Sequence, residues 1–243
     1  MTIALITGGN KGLGKAVAEQ LGQQKITVIL GSRDARRGEE AAADLRTNGL
    51  DAHTVALDVT DESTVQRAAE HIDQTFGVLD VLINNAGISG FRAGPPSQAD
   101  MKTVREVFDT NFLGVITVTN AMLPLLRRSE AARIVNVSSR VGSLTRHADL
   151  TDYFARSPAS SAYAPSKTAL NMLTLQYAKE LFSEGILVNA ANPGAIATDF
   201  ASAMGLKLDR TAADGARVIV KLATLGRDGS TGAVWDDDGR VPW

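Results

Sequence analysis

Short apolar runs recur along the chain, at residues 2–7, 26–31, 53–58, 78–84, 132–137, 186–191 and 232–236. Between them the apolar positions change period. Leu170, Leu173, Tyr177 and Leu181 stand three, four and four residues apart, the spacing that gathers side chains on one face of a helix. Ile134-Val135-Asn136-Val137 and Val81-Leu82-Ile83 are close to continuous, as strands covered on both faces are. Strand followed by helix, repeated in this way, is a series of βαβ units. It predicts a single α/β domain over 1–243, a doubly wound parallel sheet of about seven strands with helices on both faces.

Three segments break the rhythm. Residues 88–97 carry Gly90, Gly94, Pro95 and Pro96, residues 140–160 follow the fifth predicted strand, and residues 193–210 follow the sixth. Open α/β sheets bind ligands at the carboxyl ends of their strands, so all three loops are expected to be functional.

Composition narrows the classes. A chain of 243 residues can bury a sizeable core. Its net charge of −2 offers no bulk attraction to nucleic acid or an anionic membrane. With no cysteine, disulfides, thiolate nucleophiles and cysteine metal sites are excluded together. His53, His71 and His147 are scattered without ligand spacing, so no metal site is expected. The opening Thr2-Ile3-Ala4-Leu5-Ile6-Thr7 reads as a strand and not a signal peptide. The longest apolar stretch, residues 112–126, is broken by Thr117, Thr119, Asn120 and Pro124 and is too short to cross a bilayer. A soluble, cytoplasmic protein with no nucleic-acid or membrane partner is expected.

The loop Thr7-Gly8-Gly9-Asn10-Lys11-Gly12-Leu13-Gly14 joins the first strand to a helix carrying Val17 and Leu21 on one face. Glycines there let backbone N–H groups approach a pyrophosphate, and the helix N-terminus favours the same anion. The spacing is G-x-x-x-G-x-G. A glycine cluster alone can be a plain tight turn; placed strand-to-helix in a βαβ chain, it points to a dinucleotide site. At the end of the second strand stands Gly31-Ser32-Arg33-Asp34. An NAD site usually places a carboxylate there, on the ribose hydroxyls. Here Ser32 ends the strand, Arg33 follows it, and Lys11 adds a second cation from the glycine loop. That set suits a 2′-phosphate, hence NADP. Asp34 could reach a ribose, but as the residue opening the next helix it reads as an N-cap.

Tyr163-Ala-Pro-Ser-Lys167 sets a phenol and an ammonium one helical turn apart. Proximity to the cation favours the phenolate, so the tyrosine pKa is expected to fall from about 10 toward neutrality. That would give a proton donor and acceptor usable near pH 7. The alternative is a core tyrosine beside a solvated lysine. Pro165 is compatible with the first turn of a helix, where its missing N–H costs little.

Taken together, these segments resemble the short-chain dehydrogenase/reductase family, essentially end to end. Asp58-Val59 resembles the family's adenine-contacting pair, and Asn84-Asn85-Ala86-Gly87 its motif after the fourth strand. Asn111-Phe112-Leu113-Gly114 resembles its helix asparagine, Val137-Ser138-Ser139 its serine, and Tyr163 to Lys167 its catalytic pair. Pro193-Gly194, with Ile196 and Thr198, matches the loop on the nicotinamide side. The glycine loop, Ser32-Arg33-Asp34 and the terminal Val241-Pro242-Trp243 are similar to the carbonyl reductase-like branch.

The resemblance implies a Rossmann-type fold, an NAD(P) cofactor, and Tyr163 as general acid in ketone reduction or base in alcohol oxidation. It implies that Lys167 lowers the tyrosine pKa and bonds the nicotinamide ribose. Ser139 would donate to the substrate carbonyl, with adjacent Ser138 as its rival. Asn111 would hold a water linking Lys167 to solvent; its other reading is a helix-interior amide bonding local backbone.

Between Ser139 and Tyr163 lie 23 residues, a longer gap than the family usually shows. The extra segment, roughly Thr145 to Ser157, contains His147, Asp149, Asp152, Tyr153, Phe154 and Arg156. In carbonyl reductase-like members a similar insertion covers a surface that others use for oligomer contacts, so monomer and dimer both stay open. Apolar candidates for the substrate pocket are Ile88, Phe91, Val141, Leu144, Phe154, Phe200 and Met204, with Arg92, Arg140 and Arg146 nearby. They predict a small-molecule carbonyl substrate: a hydrophobic or aromatic ketone, aldehyde or quinone reduced by NADPH. One alternative is a β-ketoacyl carrier-protein reductase, docking through Arg127, Arg128 and Arg133. Another is an NADP-binding sensor without turnover, which would have no need of a proton donor such as Tyr163.

Overall fold

The computed structural model describes residues 1–197 and 207–243. Its strands are β1 (Ile3–Thr7), β2 (Thr27–Ser32), β3 (Ala52–Ala56), β4 (Val81–Asn84), β5 (Arg133–Val137), β6 (Leu187–Ala191), β7 (Val234–Asp236) and β8 (Gly239–Val241). They form one eight-stranded sheet in the order β3-β2-β1-β4-β5-β6-β7-β8. All neighbours are parallel except β7 and β8. The helices are α1 (Gly12–Gln23), α2 (Ala35–Thr47), α3 (Glu62–Phe76), α4 (Met101–Phe108), α5 (Gly114–Leu126), α6 (Leu144–Ala148), α7 (Tyr163–Glu180) and α8 (Ala212–Ala223).

The near-continuous apolar strands have a simple cause. Successive side chains of a strand point to opposite faces, and both faces here are covered. Ile3, Leu5, Ile29, Leu82 and Ile134 pack on one side with Val65 and Ile72 of α3, Met122 of α5 and Tyr177 of α7. Ala4, Ile6, Val28, Leu30, Ile83 and Val135 pack on the other with Val17 and Leu21 of α1, Leu45 of α2 and Ile219 of α8. The chain is therefore a single α/β domain of the Rossmann type. Strand order reverses between β1 and β4, which opens a crevice at their carboxyl ends.

Two departures from the expected elements are instructive. The eighth strand was not predicted: Gly239-Arg240-Val241 is three residues long and mostly polar, so it carries no strand pattern. It exists because it pairs antiparallel with β7. The run 78–84 forms a strand only from Val81; Leu79, though fully buried, lies in the connection from α3. Among the described residues, no helix is long and apolar enough to cross a membrane.

Candidate active site

A cleft of about 2310 Å³ opens over the carboxyl ends of β1, β4, β5 and β6. One end is built by the loop between β1 and α1. Gly8, Asn10, Lys11, Gly12, Leu13 and Gly14 line it, with Arg33, Asp58, Val59, Asn85, Ala86 and Gly87. No side chain caps the start of α1, so its first-turn N–H groups remain for an anion. Gly14 cannot be replaced without displacing backbone: a Cβ there would lie 2.5 Å from Gly8 O and 2.6 Å from Asn85 Nδ2. The loop is also braced. Asn85 Nδ2 donates to Thr7 O at 2.8 Å, and Thr7 Oγ1 accepts from the N–H groups of Asn85 (2.9 Å) and Ala86 (3.0 Å). Thr7, which opens the glycine loop, thus ties it to the loop after β4.

Arg33 is exposed beside this end of the cleft. Asp34 is the N-cap of α2, accepting from Arg37 N at 3.1 Å. Ser32 differs from its expected place. It is buried, its hydroxyl donates to Asp34 O at 2.8 Å, and it is not on the cleft wall. It ends β2 beneath α2, close enough that a Cβ on Gly38 would lie 3.0 Å from Ser32 Cβ.

The other end holds Ser139, Tyr163, Lys167, Pro193, Gly194 and Ile196. Thr198 lies outside the described residues. Tyr163 is the first residue of α7 and Lys167 stands one turn on, with its Nζ 5.7 Å from the Tyr163 ring centroid. Pro165 sits in the first turn of the same helix. Ser139 and Tyr163 share a side-chain hydrogen bond. Ser138 points elsewhere: it is buried, and its Oγ donates to Asn171 Oδ1 at 2.5 Å. Both serines line the cleft, and the hydroxyl bonded to the phenol is that of the second.

The electrostatics of the pair run against the sequence expectation. Tyr163 is only half-buried as a residue, but burial around its phenol pushes its pKa up to about 12, partly offset by the Ser139 bond. Burial brings Lys167 down to about 8. Desolvation penalises both charged forms, and Lys167 directs its ammonium to Val137 O at 2.7 Å. Removal from water outweighs the mutual attraction that spacing alone suggested.

Asn111, the residue expected to hold a relay water, commits its side chain to bonds within the protein. It lies in a π-helical turn, Asp109–Leu113, between α4 and α5. It is 1% exposed, and both amide hydrogens are committed, to Ile88 O at 3.0 Å and Ser166 Oγ at 3.1 Å. Its Oδ1 accepts from Ile88 N at 2.9 Å. The side chain bonds the backbone of Ile88, 23 residues away, and pins the loop after β4 against α7; it does not line the cleft.

The segment after Ser139 forms a wall over the reaction end. Val141, Leu144, His147, Tyr153 and Phe154 line the cleft, as do Ile88 and Phe91. Phe200 and Met204 lie outside the described residues. The wall is internally fixed. Arg146 pairs with Asp152 at 2.8 Å and lies 4.8 Å over the Phe154 ring. It is also tethered, since Thr145 N donates to Trp243 O at 2.6 Å and Arg140 binds Asp236 and Asp238 of the β7–β8 hairpin. Arg140 and Arg146 are thus spent on structure. Of the cations considered for carrier docking, Arg133 is buried and donates to Leu225 O, whereas Arg127, bound to Glu184 at 2.7 Å, and Arg128, paired with Asp73, are exposed.

Comparison with known proteins agrees with this geometry. The family model for short chain dehydrogenase matches residues 2–209. The short-chain dehydrogenase anuI of Penicillium roqueforti is 37% identical over 229 residues, covering 92% of this chain and 89% of the relative. Salutaridine reductase of Papaver bracteatum is 32% identical over 298 residues, covering 97% and 94%. Among solved structures, the Pseudomonas aeruginosa RhlG/NADP active-site complex superposes with a TM-score of 0.84 at 28% identity, covering 98% of this chain and 95% of that one. With residues 2–209 matched as a unit and these relatives spanning nearly the whole chain, the protein belongs to the short-chain dehydrogenase/reductase family of oxidoreductases.

Proposed function

We propose that the protein is an NADPH-dependent reductase that converts a hydrophobic ketone, aldehyde or quinone carbonyl to the alcohol. The observation that carries this reading is the hydrogen-bonded Ser139–Tyr163 pair beside buried Lys167, in one cleft with the glycine loop. A nucleotide cofactor fits the residues present. The cradle at Gly14 has no room for a Cβ, and α1 begins without a side-chain cap. Lys11 and Arg33 flank that end and suit a 2′-phosphate, and the RhlG neighbour is an NADP complex.

A reduced nicotinamide bound there supplies the hydride. The protein's part is to hold the carbonyl and handle its proton. Ser139 Oγ–H donates to the carbonyl oxygen and stabilises the alkoxide as it develops. Tyr163 Oη–H then gives its proton to that oxygen. With its pKa near 12, the phenol stands in the protonated form that reduction requires. Lys167, still largely charged at pH 7 with a pKa of about 8, lies where it lowers the energy of the phenolate left behind.

The apolar wall of Ile88, Phe91, Val141, Leu144 and Phe154 favours a hydrophobic substrate. The test is a screen of NADPH oxidation with ketones, aldehydes, quinones and β-ketoesters, free and carrier-bound. Turnover of free hydrophobic carbonyls is expected. Turnover confined to carrier-bound β-ketoesters, or none at all, would overturn the reading.

A further inference from the structure

A buried amide, Asn171, lies two turns beyond Tyr163 on α7 and reaches the loop that carries Ser139. Tyr163, Lys167 and Asn171 stand at i, i+4 and i+8 on α7 and share one face. Asn171 is 4% exposed and spans the loop that carries Ser139. Its Oδ1 accepts from Ser138 Oγ at 2.5 Å, and its Nδ2 donates to Gly142 O at 3.2 Å. The two contacts lie on either side of Ser139. Thr168 Oγ1 donates to the same Gly142 carbonyl at 3.1 Å.

The approach of loop to helix is as close as the chain allows. A Cβ on Gly142 would lie 2.7 Å from Lys167 C, 2.8 Å from Lys167 O and 2.9 Å from Asn171 Nδ2. By contrast, the contact Ser139 makes with its own loop is long, accepting from Val141 N at 3.4 Å. Local geometry alone therefore does little to aim this hydroxyl at Tyr163.

We propose that Asn171 is a positioning residue: by clamping Ser138 and Gly142 onto α7, it fixes the distance and direction between Ser139 and Tyr163. The inference rests on the reading of Ser139 as donor to the substrate carbonyl. Displacements near 1 Å at a reacting centre can cost on the order of 100-fold in rate, and a buried, two-armed amide is suited to preventing them.

Asn171→Ala is expected to lower kcat for carbonyl reduction roughly 10- to 100-fold, with KM for NADPH unchanged. In a Ser139→Ala background the same substitution should cost nothing further, because the clamp acts through Ser139. In the cofactor-free protein, hydrogen exchange of the 138–143 segment should accelerate while the strands stay protected. If Asn171→Ala does not fold, Ser138→Ala removes one arm from the loop side and enters the same cycle. An equal loss in the Ser139→Ala background, or unchanged exchange over 138–143, would overturn the proposal. A wild-type protein inactive on every carbonyl would instead overturn the functional reading, and the exchange measurement would still decide the clamp.

Discussion

Lys167 carries its charge at a cost to the fold, and Lys167→Met should reveal it. The side chain is 5% exposed, donates to a backbone carbonyl, and makes no ion pair among the described residues. Burial lowers its pKa from 10.5 to about 8, a difference that corresponds to ~3 kcal/mol at pH 7. Methionine has similar length and no charge. It forfeits the bond to Val137 O, worth ~1–2 kcal/mol, so the variant should be about 1–2 kcal/mol more stable at neutral pH.

The pH dependence isolates the charge. The folded pKa lies below the unfolded one, so between about 8 and 10.5 the unfolded chain binds more protons and wild-type stability climbs with pH. By pH 9.5 the cost should have fallen to ~1 kcal/mol, narrowing the gap between the two proteins by ~2 kcal/mol. Urea unfolding of both proteins at pH 7 and 9.5 measures it. A gap that does not change with pH would refute the reasoning, since lost packing alone has no titration. The variant should also lose turnover: the costly charge is retained for the phenolate it faces.

Two further outcomes concern the cofactor end. Arg33→Ala should raise KM for NADPH far more than KM for NADH in steady-state assays; equal effects on both would remove Arg33 from 2′-phosphate recognition. Gly14→Ala drives a Cβ to 2.5 Å from Gly8 O. It should weaken NADPH binding at least ~10-fold in a fluorescence titration and cost about 1–3 kcal/mol in unfolding, and an unaltered Kd would show that the cradle tolerates the shift.

Much of this molecule was legible in its sequence because period and packing coincide. The apolar runs became the buried strands of a two-sided sheet, and the glycine loop fell at the crevice where strand order reverses. What escaped were features set by contacts distant along the chain. β8 exists only through its partner β7. Asn111 spends its amide on Ile88, 23 residues away, which no local pattern states. Ser32 and Arg33 are adjacent, yet one turns inward and one lines the cleft. The pKa of Tyr163 depends on how much water the fold removes, and a spacing of four residues reports only the cation. Asn171 carried no signal of its own, because its partners on the Ser139 loop are 33 and 29 residues away.

The central claim is that Tyr163 delivers the proton to a carbonyl bound beside Ser139. Tyr163→Phe removes only the hydroxyl, so the measurement is paired: turnover of a reducible carbonyl with NADPH, and NADPH affinity by fluorescence titration. The account predicts that turnover falls at least ~100-fold while affinity is unchanged. Retained turnover with the phenylalanine in place would contradict it.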